Sequence, residues 1–312
     1  MLSVLQIYNG FQSRMRSTLL TLYDAVNRNP VFSTLPAVEF VIDISDGVSG
    51  CSGLPIFMMA TRNSDCITVP DFTFGSWPES SCPPGQESHT WSFLYNRIGN
   101  FSSRFTEKAN GLVWSGAETG RMRTEFLAVY PSIQGSVPDH IDVRVQVTKW
   151  KKNTALAPLG DNQASNCITL EEACRYKYQI YLPGNTYSSS LKYKMMCGSV
   201  VMAAFDEWKE WWYQAIEDNV NILHVDHTHK DDIVAVLNGS LTLQKERALA
   251  VNAKDTVMRV LSPESIACYW EKVLTSIAWG APVRSRPGVS LYDVLMMDLG
   301  HMHFSVVDES EC

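Results

Sequence analysis

The chain has 312 residues, 45% of them hydrophobic and 19% charged, enough to bury the cores of two ordinary domains and unlike a sequence that stays disordered. A net charge of −7 and a pI near 5.5, with no cationic run beyond Lys149, Lys151 and Lys152, argue against a nucleic-acid partner. No apolar run approaches the ~20 residues that span a bilayer, and Gln6, Asn9 and Gln12 break the first residues before a signal-peptide core can form.

In chain order, Leu19, Leu20, Tyr23 and Val26 share one face of a helix over 14–27, which Pro30 ends before a strand at 38–44. A second strand follows at 55–60, then an aromatic segment at 72–77 that continues into a turn-rich loop. Residues 91–105 read as a helix, and Asn110-Gly111 introduces a strand at 112–114. The domain boundary is placed there, giving units 1–110 and 111–280 and a tail at 281–312. Gly116 and Gly120 flank a loop that leads into a helix over 121–130, followed by a strand at 141–147. Thr169 and Glu172 form a capping box for a short helix carrying Cys174. The rest alternates: strand 178–182, helix 188–196, strand 198–204, helix 206–216, strand 221–225, then three helices, the last opened by Ser262-Pro263-Glu264. Such alternation means a parallel α/β sheet.

The stretch at 174–199 carries the clearest chemistry. Pro183 and Gly184 stop a strand, and Ser188, Ser189 and Ser190 fall where the next helix presents unpaired backbone N–H groups, an arrangement suited to phosphate. Eight cysteines without a CxxC pair are too dispersed for a zinc ribbon. His224, His227 and His229 lack a second ligand cluster, so no metal is expected. There is no GxSxG, Walker loop or GxGxxG, which leaves hydrolase, phosphate-loop and dinucleotide readings unsupported. Trp208, Trp211 and Trp212 are spaced as a buried helical face, while Phe74 and Trp77 are candidates for stacking on a sugar or peptide.

CRYKY at 174–178, the glycine turn, SSSLKY at 188–193 and CGSVV at 197–201 occur in an order shared with one group of sugar transferases. So do VEFVIDISDG at 38–47, LVWSGAETGRMRTEFL at 112–127, DEWKEWW at 206–212 and SIACYWEKVL at 265–274. The chain resembles the protein O-glucosyltransferase and capsule xylosyltransferase family, glycosyltransferase family 90. The resemblance implies a GT-B-like α/β fold of two Rossmann-type domains facing a cleft, with a UDP-sugar donor bound by the C-terminal domain and a protein or glycan acceptor across from it. It implies that Asp46 is the general base of an inverting transfer; read by itself, Asp46-Gly47 is ordinary turn chemistry. Asp43, on the strand, is the alternative acid. Donor contacts are assigned to Ser115, Gly116, Arg123, Gly184, Ser188, Ser189, Ser190 and Glu207, the last to the ribose hydroxyls, with Lys192 or Lys194 as further cations.

Two family arginines are missing, because Ser115 stands in Trp-Ser-Gly and Ser190 in SSSLKY, and Glu118 replaces a third found in animal members. A noncatalytic member that binds glycan or protein is therefore the alternative, and a glycoside hydrolase would need a second acid such as Glu118 facing Asp46. The resemblance also implies a Cys174–Cys197 disulfide, a partner for Cys268 in an upstream segment, and work in the lumen of the endoplasmic reticulum or Golgi. It implies an N-terminal signal or anchor as well, so this N-terminus is expected to be incomplete. Sequons at Asn100 and Asn238 are compatible with that route.

Overall fold

The computed structural model describes residues 3–4, 12–28, 30–34, 40–45, 51, 56–62, 66–75, 90–101, 104–148, 168–278 and 289–290. Asp46, Trp77, Cys82, Cys167, Cys312 and the 149–165 loop lie outside the described residues. Two short strands, β1 (Ser3–Val4) and β10 (Val289–Ser290), pair antiparallel.

Helix α1 (Gln12–Arg28) turns Met15, Leu19, Leu22 and Ala25 inward, while Leu20, Tyr23 and Val26 of the expected face are partly buried beside them, and Arg28 closes its last turn on Asp24 at 2.8 Å. The first sheet is parallel, in the order β2 (Val41–Asp43), β3 (Ile56–Met58), β4 (Ile67–Thr68). A disulfide between Cys51 and Cys66, which the sequence reading did not pair, ties the approach to β3 to the approach to β4.

The second sheet is also parallel and has five strands: β5 (Ala109–Ala117), β6 (Asp142–Thr148), β7 (Tyr176–Tyr181), β8 (Val200–Ala203) and β9 (Leu223–His224). Their spatial order is β6-β5-β7-β8-β9. The chain goes outward from β5 to β6, then returns to lay β7 on the other side of β5. The switch point thus lies between β5 and β7, and α/β sheets bind ligands at the carboxyl ends of strands at such a point.

Between the strands run α2 (Trp91–Gly99), α3 (Arg121–Gln134), the four-residue α4 (Leu170–Ala173), α5 (Ser190–Met196), α6 (Lys230–Leu237), α7 (Leu243–Val260) and α8 (Pro263–Ala278). The Thr169–Glu172 capping box forms as expected, with both reciprocal hydrogen bonds in place. One core, including Leu112, Trp114, Phe126, Ile180 and Ile233, lies on the α3 and α6 side of the second sheet. The other is shared, running from Met15 and Phe57 through Tyr193 to Trp270, so both sheets are built on common apolar packing.

One expected element is absent. Residues 206–212 form no helix, and 213–215 make a single 3₁₀ turn instead. The Asp206 carboxylate accepts the Trp208 N–H at 2.9 Å, a local turn that competes with a helical start. Lys209 then pairs antiparallel with Thr61, beyond β3, at 3.0 and 2.9 Å. Trp211 and Trp212 are buried nonetheless, through tertiary packing and not through helical periodicity.

Candidate functional site at the switch point

The loops after β5 and β7 meet at two glycines. Gly120 has φ of 75°, and a Cβ there would stand 2.0 Å from the Gly184 carbonyl oxygen, so the two loops can close on each other only where no side chain intervenes. Gly120 also stands at the N-cap of α3, which places Arg123 in the first turn, against the loops after β5 and β7.

Arg123 is the hub of this corner. Nη1 donates to the Ala117 carbonyl at 3.0 Å and the Thr119 hydroxyl at 3.1 Å. Nε and Nη2 both reach the Leu182 carbonyl at 3.3 Å, and Nη2 also donates to Ser188 Oγ at 3.0 Å. All five guanidinium N–H groups thus have protein acceptors. Burial lowers the pKa of this arginine, and the nearby Tyr181 opposes that shift. Arg123, expected among the donor contacts, clamps three loop segments together.

The serine turn is tightly engaged. The Ser188 amide donates to the Tyr181 hydroxyl at 3.2 Å, and Ser188 Oγ lies 3.0 Å from Ser190 Oγ. Helix α5 begins at Ser190, with Ser189 at its N-cap, two residues later than predicted. Leu191 N–H reaches the Ser188 carbonyl at 3.4 Å. The expected row of three free amides is therefore reduced, because a buried tyrosine takes the first and the Ser190 N–H reaches Ser188 Oγ at 3.5 Å. In β5, Ser115 Oγ lies 3.3 Å from Gln146 Oε1, which also accepts the Ile168 N–H at 2.8 Å. A Cβ on Gly116 would press on the Trp114 ring at 2.9 Å.

Directly beneath lies a buried ionic cluster that the sequence reading missed. Asp71 caps the 3₁₀ turn Phe72–Phe74, accepting the Thr73 N–H at 3.1 Å and the Tyr187 hydroxyl at 2.9 Å. Lys192 Nζ sits 3.6 Å from Asp71 Oδ1, with both side chains fully buried, and donates to the Ser189 carbonyl at 3.2 Å. Glu210 completes the group; its Oε2 accepts Trp212 Nε1 at 3.2 Å while Oε1 has no partner. Burial raises the Glu210 pKa to about 8, against the pull of Lys192 and with the help of Asp71. The signal available in the sequence was three charged residues embedded in aromatic segments, at 71, 192 and 210.

Phe74, expected to stack on a ligand, is a core residue at 4% exposure. It packs edge-on to Trp91 at 5.3 Å, with the Lys192 ammonium 4.3 Å from its ring centre. Glu207, assigned to the ribose, has an 81% exposed side chain 3.7 Å from Arg62, which itself stacks on Trp208. Asp43 accepts the Ser45 N–H at 2.8 Å, so it closes the turn that carries the chain toward position 46. His227 pairs with Glu125 at 2.9 Å, and His229 lies 3.3 Å from Asp226. No group of metal-ligating side chains occurs among the described residues.

Segments following β3 and β4 in the first sheet therefore touch those following β7 and β8 in the second, through Thr61–Lys209, Arg62–Glu207 and Asp71–Tyr187. The carboxyl ends of both parallel sheets converge. A recess of about 350 Å³, lined by Asn110, His140, Tyr178 and Glu246, opens at the opposite, amino ends of β5 and β7 and is no part of this site.

Farther along α5, the predicted Cys174–Cys197 disulfide is formed. It joins the C-caps of α4 and α5, and the buried Lys108 ammonium donates to both cysteine carbonyls, the second at 3.0 Å. Cys268 is exposed with a free thiol.

A family model described as glycosyl transferase family 90 matches residues 7–284. O-glucosyltransferase rumi of Drosophila melanogaster is 24% identical over 270 residues, covering 78% of this chain and 61% of the relative. Protein O-glucosyltransferase 1 of Bos taurus is 26% identical over 262 residues, with 78% and 63% covered, and that of Homo sapiens gives the same figures. The chain thus spans less than two thirds of the length of these relatives. Among solved structures, Anabaena HepE in complex with UDP-glucose aligns at a TM-score of 0.38 and 11% identity, covering 59% of this chain and 52% of that one. A Rickettsia africae glycosyltransferase aligns at 0.44 and 10% identity, with 88% and 84% covered.

Proposed function

The chain belongs to glycosyl transferase family 90, and from that membership we propose that it moves glucose or xylose from a UDP sugar to a hydroxyl of a protein or glycan, with inversion. The observation that supports this reading best is the meeting of segments after β3 and β4 with segments after β7 and β8, next to the β5–β7 switch point, where α/β sheets bind their ligands. In this GT-B-like reading, residues 1–110 form the acceptor side, 111–280 the donor side and 281–312 a tail.

The acceptor oxygen attacks the anomeric carbon on the face opposite the diphosphate, and Asp46 takes its proton. The bond from the anomeric carbon to the diphosphate oxygen breaks, and its electron pair leaves with UDP. Charge on the departing UDP is met by protein cations, hydroxyls and amides, without a metal. Ser115, Gly116, Gly184, Ser188, Ser189 and Ser190 line the donor site, Arg123 fixes its walls, and Glu207 lies at its rim. The same reading puts the protein in the lumen of the endoplasmic reticulum or Golgi, where disulfides such as Cys51–Cys66 and Cys174–Cys197 persist. No described helix is long and apolar enough to cross a membrane.

The saturation of Arg123 favours a second reading, a member that binds without turnover. Calorimetric titration with UDP, UDP-glucose and UDP-xylose, followed by a donor-hydrolysis assay, separates the two. The transferase reading expects UDP binding together with slow release of sugar, and Asp46→Asn losing transfer while keeping UDP affinity. Tight UDP binding with no turnover on any donor leaves the binding-module reading, and unchanged activity in Asp46→Asn removes that residue as the base.

A further inference from the structure

Three cations approach the switch point, and their environments differ. Arg123 has every N–H committed to protein oxygens, and Lys192 is held by Asp71, Thr73 and the Ser189 carbonyl. Lys194 is 8% exposed and has no hydrogen-bond or ion-pair partner among the described residues. The described side-chain atoms that are fully sealed without a partner are Glu210 Oε1, Trp211 Nε1 and Trp270 Nε1.

Its place on the helix sets its direction. Lys194 lies four residues after Ser190, on the same face of α5, and helical side chains lean back toward the start of their helix. The ammonium is therefore directed toward the Ser188–Ser190–Arg123 corner.

We propose that Lys194 is the side chain that contacts the diphosphate of the nucleotide donor, with Arg123 acting as a positioning residue behind it. The inference rests on the nucleotide-sugar reading and adds to it the group that supplies free charge. Burying a cation without a counter-ion is costly, and a second cation nearby adds to the cost. Burial first and Arg123 second lower the Lys194 pKa to about 8. Arg123 is the charged group that acts on it; Lys254, on the neighbouring α7, acts on Lys108 instead. An anion at this corner would relieve both penalties and hold Lys194 protonated.

The test is calorimetry of UDP and of uridine with the wild type, Lys194→Met and Lys194→Arg, at pH 7 and pH 9. Lys194→Met is expected to bind UDP about tenfold or more weakly at pH 7, with uridine affinity unchanged and Lys194→Arg partly restored. Wild-type UDP affinity should fall from pH 7 to pH 9, across the titration of the free lysine, and the methionine variant should lose that dependence. Lys194→Met should melt no lower than wild type, since it removes an unpaired buried charge; a purely structural lysine would give a lower melting temperature. UDP affinity in Lys194→Met within twofold of wild type overturns the inference and leaves the family reading intact. If the methionine variant fails to fold, wild-type UDP affinity that does not change between pH 7 and pH 9 overturns it. If wild type binds neither UDP nor uridine, the nucleotide-sugar reading falls, and inorganic pyrophosphate then decides: binding lost in Lys194→Met upholds Lys194 as an anion contact, and no difference overturns it.

Discussion

Glu210 shows how far a residue's chemistry departs from its sequence context. In DEWKEWW it is one of three acids, yet it is buried with one oxygen unpartnered, and its pKa rises from 4.5 to about 8. The sign follows from linkage. Between these two values the unfolded chain has released the proton while the folded one retains it, so the folded state binds more protons and loses stability as pH rises. Glu210→Gln cannot ionise, so its stability relative to wild type should grow from pH 5 to pH 8. Chemical denaturation at pH 5, 6.5 and 8 checks this, and a constant difference would show that Glu210 is already ionised at pH 5. Asp71, Lys192 and Tyr187 face it from the first sheet's side and from α5 and its approach, and carry the rest of the cluster. None of this was legible beforehand, because a charged residue's burial depends on what packs over it.

At the scale of elements, the strand-loop-helix units were legible and their loops' interplay was not. The capping box at 169–172 and the Cys174–Cys197 bond formed where sequence or resemblance put them, and the strand expected at 178–182 runs from Tyr176 to Tyr181. The signals for the box and the strand sit within a few residues of each other, whereas the disulfide, 23 residues apart, was implied by the resemblance. Residues 206–212 failed for the complementary reason: the aromatic spacing is helical, but Asp206 turns the chain and Thr61, far away in sequence, takes its backbone hydrogen bonds. The contact of Gly120 with Gly184 is similarly nonlocal, and it makes a prediction. Gly120→Ala introduces both a strained φ and a Cβ 2.0 Å from a backbone oxygen, so the β5 and β7 loops must separate. The expected cost is ~2 kcal/mol or more of stability, read by denaturant unfolding, together with weakened UDP binding. A variant as stable as wild type, with intact UDP affinity, would show that the loop contact is dispensable.

The whole molecule is held by a core that ignores the division between sheets. Trp91, from α2, donates to the Leu261 carbonyl at 2.7 Å, and Tyr95 donates to Met258 at 2.6 Å. Helix α8, last of the long helices, returns to pack on α1, the first. Both units should accordingly unfold in one transition. Trp91→Ala, which empties a fully buried site and strands a carbonyl, should cost ~3–5 kcal/mol without splitting that transition. Calorimetry resolving two separate transitions in the wild type would refute the shared core.

The sequence by itself determined the α/β class, most strand and helix positions and the family, because hydrophobic period, caps and ordered motifs are properties of neighbouring residues. Tertiary structure alone decided that Arg123 and Lys192 are held by protein oxygens, that Phe74 is core and not a ligand platform, and that an acid at 210 is buried beside Lys192. Those outcomes depend on which loops the strand order β6-β5-β7-β8-β9 brings together, and on the desolvation and hydrogen-bond partners each side chain meets there.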